Sequence, residues 1–198
     1  MKIAIIDYEA GNKRSVLNAL HKLGYQADVT NNIKRLQSAD KIIFPGVGQA
    51  KFAMHSLQNL ALDSFLRTSK KPLLGICLGM QLIGQLHHEG PVGGLGIIDT
   101  DVLPFQTALK IPHLGWNRIH LSALGTQSLL FDGISSNDFF YFIHSFYMPE
   151  GAYTSASCNY DISFTAALEY EHIYATQFHP EKSGKAGLQV LKNFIEKC

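Results

Sequence analysis

The chain has 198 residues, 46% hydrophobic and 17% charged, the composition of a globular protein with one sizeable core rather than of a disordered segment. A formal net charge of +1 gives no basic surplus for non-specific nucleic-acid binding, so no nucleic-acid partner is expected. No apolar run approaches the roughly 20 residues that span a bilayer, so no membrane role is expected either.

In chain order, Lys2 to Ile6 is apolar and β-branched and reads as a buried strand. The stretch MKIAIIDYEA is too short and too soon interrupted by Asp7 for a secretory signal. Asn12 is placed to cap a helix through about Leu23, with Val16, Leu17, Leu20 and Leu23 at helical spacing and Gly24 as its stop. Ala27 to Val29 and Lys41 to Phe44 read as strands, the second running into Pro45-Gly46-Val47-Gly48. An apolar periodic stretch follows to about Leu66, then a strand over Leu73 to Ile76, then Cys77 and a helix over Leu78 to Leu86. Such alternation predicts a parallel sheet with crossover helices. Later come strand-like runs at Ile97 to Leu103, Phe139 to Ile143, Ser163 to Leu168 and Ile173 to Gln177, and a last helix carrying Leu188, Leu191, Phe194 and Ile195. No repeat or linker is visible. The expectation is one α/β domain over residues 1–198: three layers, a mostly parallel central sheet flanked by helices, and added antiparallel strands.

The three cysteines, Cys77, Cys158 and Cys198, are widely spaced and form no CxxC pair, so neither a disulfide framework nor a metal site is expected, and a cytoplasmic protein with reduced thiols is. Gly75-Ile76-Cys77-Leu78-Gly79 has the spacing of a nucleophile elbow with Cys in place of Ser. Small residues two positions either side would clear a strained strand-to-helix turn that presents the sulfur at a helix N-terminus. Spacing alone leaves a second possibility, a buried cysteine filling a tight turn. A thiol nucleophile needs a base, and the base an orienter. Of nine histidines, His179 stands apart, just past a predicted strand in QFHPEKS, with Glu181 two residues on. His21 and His55 lie on helical stretches, and the adjacent His87 and His88 have no partner at a metal-ligand spacing.

The blocks GICLGMQ and QFHPEKS resemble the two signatures of the triad-type, class I glutamine amidotransferases. PGVG at Pro45 to Gly48, IPHLGWN at Ile111 to Asn117 and FYFIHSFY at Phe140 to Tyr147 are similar to the glutaminase subunits of imidazole glycerol phosphate synthases, which serve histidine biosynthesis. The likeness runs from Asp7 to about Gly187. It implies that Cys77, His179 and Glu181 are nucleophile, base and orienter, and that the backbone amides of Val47 and Leu78 form the oxyanion hole. By the same resemblance Gly48, Gln81, Glu89, Ser145 and Phe146 hold the substrate, L-glutamine, and no cofactor takes part. Asn12, Trp116, Tyr141 and Lys182 match positions facing a (β/α)8-barrel cyclase subunit, the implied heterodimer partner and acceptor of ammonia. Two stretches depart from the family pattern: GQLHHEG replaces the usual acidic run before Glu89, and Glu9 in DYEAGN stands where glycine is common.

Three other functions remain compatible at this level. The same glutaminase chemistry can serve a different acceptor synthetase, such as one that aminates surface sugars. A cysteine peptidase or γ-glutamyl hydrolase shares the fold class, though PHLGWN and HPEKS argue against it. A binding module with a degenerate site is disfavoured by the intact Cys77, His179 and Glu181.

Overall fold

The computed structural model describes residues 1–9 and 11–198; Ala10, in the DYEAGN stretch, lies outside the described residues. An eight-stranded sheet runs through the protein in the order β2-β1-β3-β4-β14-β13-β12-β9. Its strands are β1 (Ile3–Ile6), β2 (Ala27–Thr30), β3 (Lys41–Gly46), β4 (Leu73–Cys77), β9 (His120–Leu121), β12 (Thr154–Tyr160), β13 (Ile162–Tyr170) and β14 (Ile173–Thr176). The pairs β2–β1, β1–β3, β3–β4 and β4–β14 are parallel; β14–β13, β13–β12 and β12–β9 are antiparallel. The mostly parallel sheet with an antiparallel extension is as the sequence predicts.

Alternation along the strands builds the layers, because successive side chains point to opposite faces. In β1, Ala4 and Ile6 join one core with Met54, Leu57 and Leu62 of α3 (Ala50–Asn59) and α4 (Leu62–Thr68). Ile3 and Ile5 join a second core with Val16 and Leu20 of α1 (Lys13–Lys22) and with Val190, Leu191 and Phe194 of α7 (Gly184–Lys197). Asn12 caps α1 as expected, its side chain accepting from the Ser15 N–H.

Several boundaries differ from expectation. The apolar run to Leu66 is two helices, broken at Ala61, which takes a left-handed conformation at φ 53°. A short helix, α2 (Ile33–Gln37), starts at the Asn32 cap and was not expected. The helix after Cys77, α5, spans only Leu78–Gln81 instead of reaching Leu86. Gly84 ends that region, packed so closely that a Cβ there would meet the Thr100 carbonyl oxygen at 2.7 Å. A hairpin of β5 (Leu86–His87) and β6 (Val92–Gly93) takes the place of the expected helical turn. Ile97 to Leu103 is mainly loop, with only Leu103 entering a strand, β7 (Leu103–Pro104), which pairs with β11 (Phe146–Tyr147). The FYFIH strand, β10 (Phe140–His144), leaves the main sheet and pairs antiparallel with β8 (His113–Asn117). A helix, α6 (Ala123–Gln127), follows a Ser122 cap.

Under β8 and β10 lies an aromatic cluster that contains two histidines. His144 Nδ1 donates to the Phe146 carbonyl at 2.8 Å, so its Nε2 accepts, at 3.0 Å, from Nδ1 of His113. His113 stacks on Tyr160 and Phe142, with ring centroids 4.1 and 4.9 Å away. Burial lowers the pKa of His113 to about 4 and is the main cause that takes His144 to about 3; burial also lowers His87, on β5, to about 4. Each folded value lies below the ordinary 6.5, so the stability these neutral rings contribute is present above about pH 6.5 and lost as pH falls toward 4. Urea unfolding between pH 6.5 and 5, above the range of ordinary carboxylates, is expected to show falling stability; equal stability at both ends of that interval would contradict the neutral, buried assignment.

Candidate active site

Three adjacent parallel strands, β3, β4 and β14, end at one edge of the sheet, where ligands bind in open α/β folds. β3 runs into Val47 and Gly48, β4 ends on Cys77, and β14 is followed within three residues by His179. Cys77 adopts φ 54° and ψ −111°, a conformation that costs a non-glycine residue of order 1–3 kcal/mol. Neighbouring backbone makes the turn possible only with glycine. A Cβ at Gly79 would lie 2.0 Å from the Phe44 carbonyl oxygen, and one at Gly46 would lie 2.4 Å from the Gly79 nitrogen. At Gly75 a Cβ would sit 3.1 Å from each of Ala175, Ile83 and the Met80 nitrogen. The expected elbow is therefore present, although a four-residue helix aligns few peptide dipoles and gives the sulfur less help than the sequence implied.

His179 and Glu181 meet as expected. Nδ1 of His179 donates to Oε1 of Glu181 at 2.8 Å, and the two side chains are 2% and 1% exposed. Backbone bonds pin the ring: the His179 N–H donates to the Tyr141 carbonyl at 2.9 Å, and the Ser183 hydroxyl donates to the His179 carbonyl at 2.7 Å. Nε2 makes no aligned hydrogen bond with the described residues. Burial by itself lowers the pKa of His179, but the charge on Cys77, its side-chain contact and the Glu181 carboxylate outweigh it and raise the value to about 10. The ring is therefore held as an imidazolium beside the Cys77 sulfur.

A cavity of about 350 Å³ opens over Cys77 and His179. Its walls include Val47, Gly48, Leu78, Gln81, Glu89, Ser145 and Phe146, so the residues expected to form the oxyanion hole and to hold glutamine come together there. Glu181 is hydrogen-bonded to His179 and lies outside the lining. Two of the expected substrate contacts are already engaged. Gln81 spends Nε2 on the Phe146 carbonyl and Gln177, and Oε1 on His87. Glu89 accepts from the Ala50 N–H at 2.9 Å and so caps α3, whose own Gln49 makes no side-chain cap. Tyr8, fully buried, donates its hydroxyl to the Pro45 carbonyl at 2.8 Å and anchors the base of the Val47 loop. Burial first, and the Cys77 charge second, raise the Tyr8 pKa.

Of the residues expected at a partner interface, three share one face. Tyr141 pairs with Trp116 across β8–β10, their rings edge-to-face at 5.9 Å, and the Lys182 ammonium lies 5.7 Å from the Tyr141 ring centroid. Lys182 also lines the cavity. The Asn12 side chain is committed to the α1 cap.

Residues that sequence reasoning missed are Tyr8, His87, Gln177, Pro112, Ile143 and His144. Gln177, two residues before His179 in the QFHPEKS block, reads as a strand end from its sequence, and the His87-His88 pair suggests only metal ligation. Among the described residues no cluster of three or more His, Cys, Asp or Glu is placed to hold a metal, and no helix is long and apolar enough to cross a membrane.

Residues 4–198 match the family described as "Glutamine amidotransferase class-I". The chain is 49% identical over 199 residues to the imidazole glycerol phosphate synthase subunit HisH of Bacteroides fragilis, which covers 99% of this chain and 100% of that protein. It is 42% identical over 196 residues to the same subunit of Pasteurella multocida, across 98% of this chain and 97% of that one. Among solved structures, PurLQS of Thermotoga maritima superposes with a TM-score of 0.69 at 16% identity, over 98% of this chain and 97% of that chain. The glutaminase domain of Trypanosoma brucei CTPS gives 0.66 at 17% identity, over 100% and 95%, and these distant likenesses concern the fold alone. Sequence match, fold and buried triad agree, and the chain belongs to the class I glutamine amidotransferase family.

Proposed function

We propose that this chain is the glutaminase subunit of an imidazole glycerol phosphate synthase, hydrolysing L-glutamine and passing the ammonia to a cyclase subunit in histidine biosynthesis. The observation that carries the reading is the buried Cys77–His179–Glu181 constellation at the floor of a cavity large enough for an amino acid.

The chemistry follows from the geometry. The Cys77 thiolate attacks the side-chain amide carbon of glutamine, and the carbonyl electrons move onto oxygen. Backbone amides of Val47 and Leu78 receive that oxyanion, a contribution of roughly 10²–10³-fold for one donor. His179 gives the Nε2 proton to the departing nitrogen, the C–N bond breaks and ammonia leaves a γ-glutamyl thioester. The now neutral His179 takes a proton from water, whose oxygen attacks the thioester, and glutamate and the Cys77 thiolate are released. Glu181 stays ionised, fixing the ring and balancing the imidazolium.

Ammonia released to bulk water becomes ammonium, a poor nucleophile, so the product must pass directly to its acceptor. Leu114 and Trp116 of β8 are opposite Ile143 and Tyr141 of β10, and Leu114, Trp116 and Ile143 are exposed. Ile143 also borders the cavity. An apolar ladder at the mouth of the site suits docking of a (β/α)8-barrel cyclase, with Trp116 as an anchor. The Val47 loop adds a regulatory element. Gly48 holds φ 93° with open space where a Cβ would be, so its conformation rather than crowding calls for glycine. In this reading the Val47 amide points away from the oxyanion position in the uncomplexed chain and turns inward when the cyclase docks.

Two measurements test these assignments. Glu181→Gln should lower kcat of the two-subunit complex by roughly 10²–10⁴-fold with the fold intact by circular dichroism; activity within a few-fold of wild type would remove Glu181 from the triad. Glutamine turnover by the isolated chain should be far below that of the complex, and equal rates would end the proposed role of the Val47 peptide.

A further inference from the structure

Behind the cavity wall runs a buried chain of hydrogen bonds that the triad does not use, and its proton positions are fixed from both ends. The Glu89 backbone N–H donates to Nδ1 of His87 at 3.1 Å, so that nitrogen carries no proton. His87 is 1% exposed, and burial keeps it neutral, so its single proton is on Nε2. Nε2 then donates to Oε1 of Gln81 at 3.0 Å. That turns Nε2 of Gln81 toward the Phe146 carbonyl and Oε1 of Gln177, each at 2.9 Å. The Phe146 carbonyl can only accept, which sets the Gln81 amide the same way independently. With its oxygen facing Gln81, Gln177 presents Nε2 to the Cys77 sulfur at 3.6 Å.

We propose that Gln177 is a further catalytic residue, donating a hydrogen bond to the Cys77 sulfur that holds it as the attacking thiolate, and that Gln81 and His87 are positioning residues that keep the Gln177 amide from flipping. The proposal rests on the glutaminase reading of the triad. Its physical basis is the contrast between the two amide orientations. The observed one places an N–H on the anion, a charge-assisted bond stronger than a neutral one. The flipped one would set carbonyl lone pairs against the thiolate at a largely buried sulfur. The other groups near the sulfur are the His179 ring, the Tyr8 hydroxyl that its charge perturbs, and the Ile143 carbonyl at 3.9 Å. Among the described residues Gln177 supplies the side-chain N–H hydrogen-bonded to Sγ. The same bond re-forms at full strength when the thioester collapses and sulfur departs as thiolate.

The test is alkylation of Cys77 by iodoacetamide in the full chain at one fixed pH below the midpoint of the wild-type pH–rate profile, where the thiolate population limits the rate, followed peptide by peptide so that the partly exposed Cys198 serves as internal control. Gln177→Met keeps the volume and removes the donor. It should slow Cys77 alkylation about five-fold or more while leaving Cys198 unchanged. His87→Leu frees Oε1 of Gln81 and should slow Cys77 by a smaller factor, whereas His87→Gln, whose amide can still donate to Gln81, should recover at least half of that loss. In the complex, kcat should fall with Gln177→Met while KM moves by less than about two-fold. Wild-type alkylation in Gln177→Met overturns the proposal, as does His87→Gln behaving like His87→Leu. If Gln177→Met does not fold, the His87 pair decides on the same criterion. Failure of the wild-type complex to hydrolyse glutamine would instead overturn the glutaminase reading, and the alkylation contrasts register that separately.

Discussion

Moving an imidazolium and a carboxylate out of water carries a desolvation cost of several kcal/mol per ion, and only mutual contact with good geometry offsets it. His179 and Glu181, with side chains 2% and 1% exposed and 2.8 Å apart, meet that condition on one side of the ring. Cys77 must meet it on the other, and this requirement governs the surrounding structure. Backbone lies on backbone where β3 passes the turn after β4, so glycines at Gly46 and Gly79 set the height of the sulfur. The bonds from Tyr141 and Ser183 hold the His179 backbone against β10. Loosening either support would leave a charge buried without its partner, which is far costlier than losing an exposed ion pair.

The fold contributes by placing strand ends. The candidate nucleophile, base and oxyanion loop come from three neighbouring parallel strands, while other groups around the cavity come from additions to that frame: the β5–β6 hairpin, β11 and the β8–β10 ladder. Glu89 couples the two parts, because its carboxylate caps α3, the helix that follows the Val47 loop, and its N–H begins the chain of bonds through His87. A change at the Val47 loop and a change at the substrate wall therefore share a mechanical link. Ile143 and Lys182 border the cavity and also lie with Trp116 and Tyr141 beside it, so the site and the apolar ladder are continuous.

How much was legible in the sequence follows from how local each signal is. Cys77 between its glycines, and His179 with Pro180 and Glu181, are set by contacts within a few residues, and both survive in the structure. The parallel half was legible for a similar reason, since β1, β3 and β4 are short unbroken apolar runs. β8, β9 and β12 were not, because polar residues interrupt them and their pairing is decided by distant partners. Ile97 to Leu103 has the composition of a strand but wraps against the β5–β6 region through isolated backbone bonds. Gln81, Gln177 and His87 are polar residues, and their burial depends on hydrogen bonds spanning up to 100 positions, which no local pattern displays.

The central claim is that the free protein holds His179 as an imidazolium between Glu181 and the Cys77 sulfur. Nitrogen NMR of the labelled protein tests it most directly, because the shifts of Nδ1 and Nε2 report protonation of each nitrogen. At pH 8, above the ordinary histidine value of 6.5 and below the raised value of about 10, both nitrogens should be protonated. The Cys77→Ala variant should lose the Nε2 proton at the same pH. A wild-type ring protonated on Nδ1 alone at pH 8 would contradict the account.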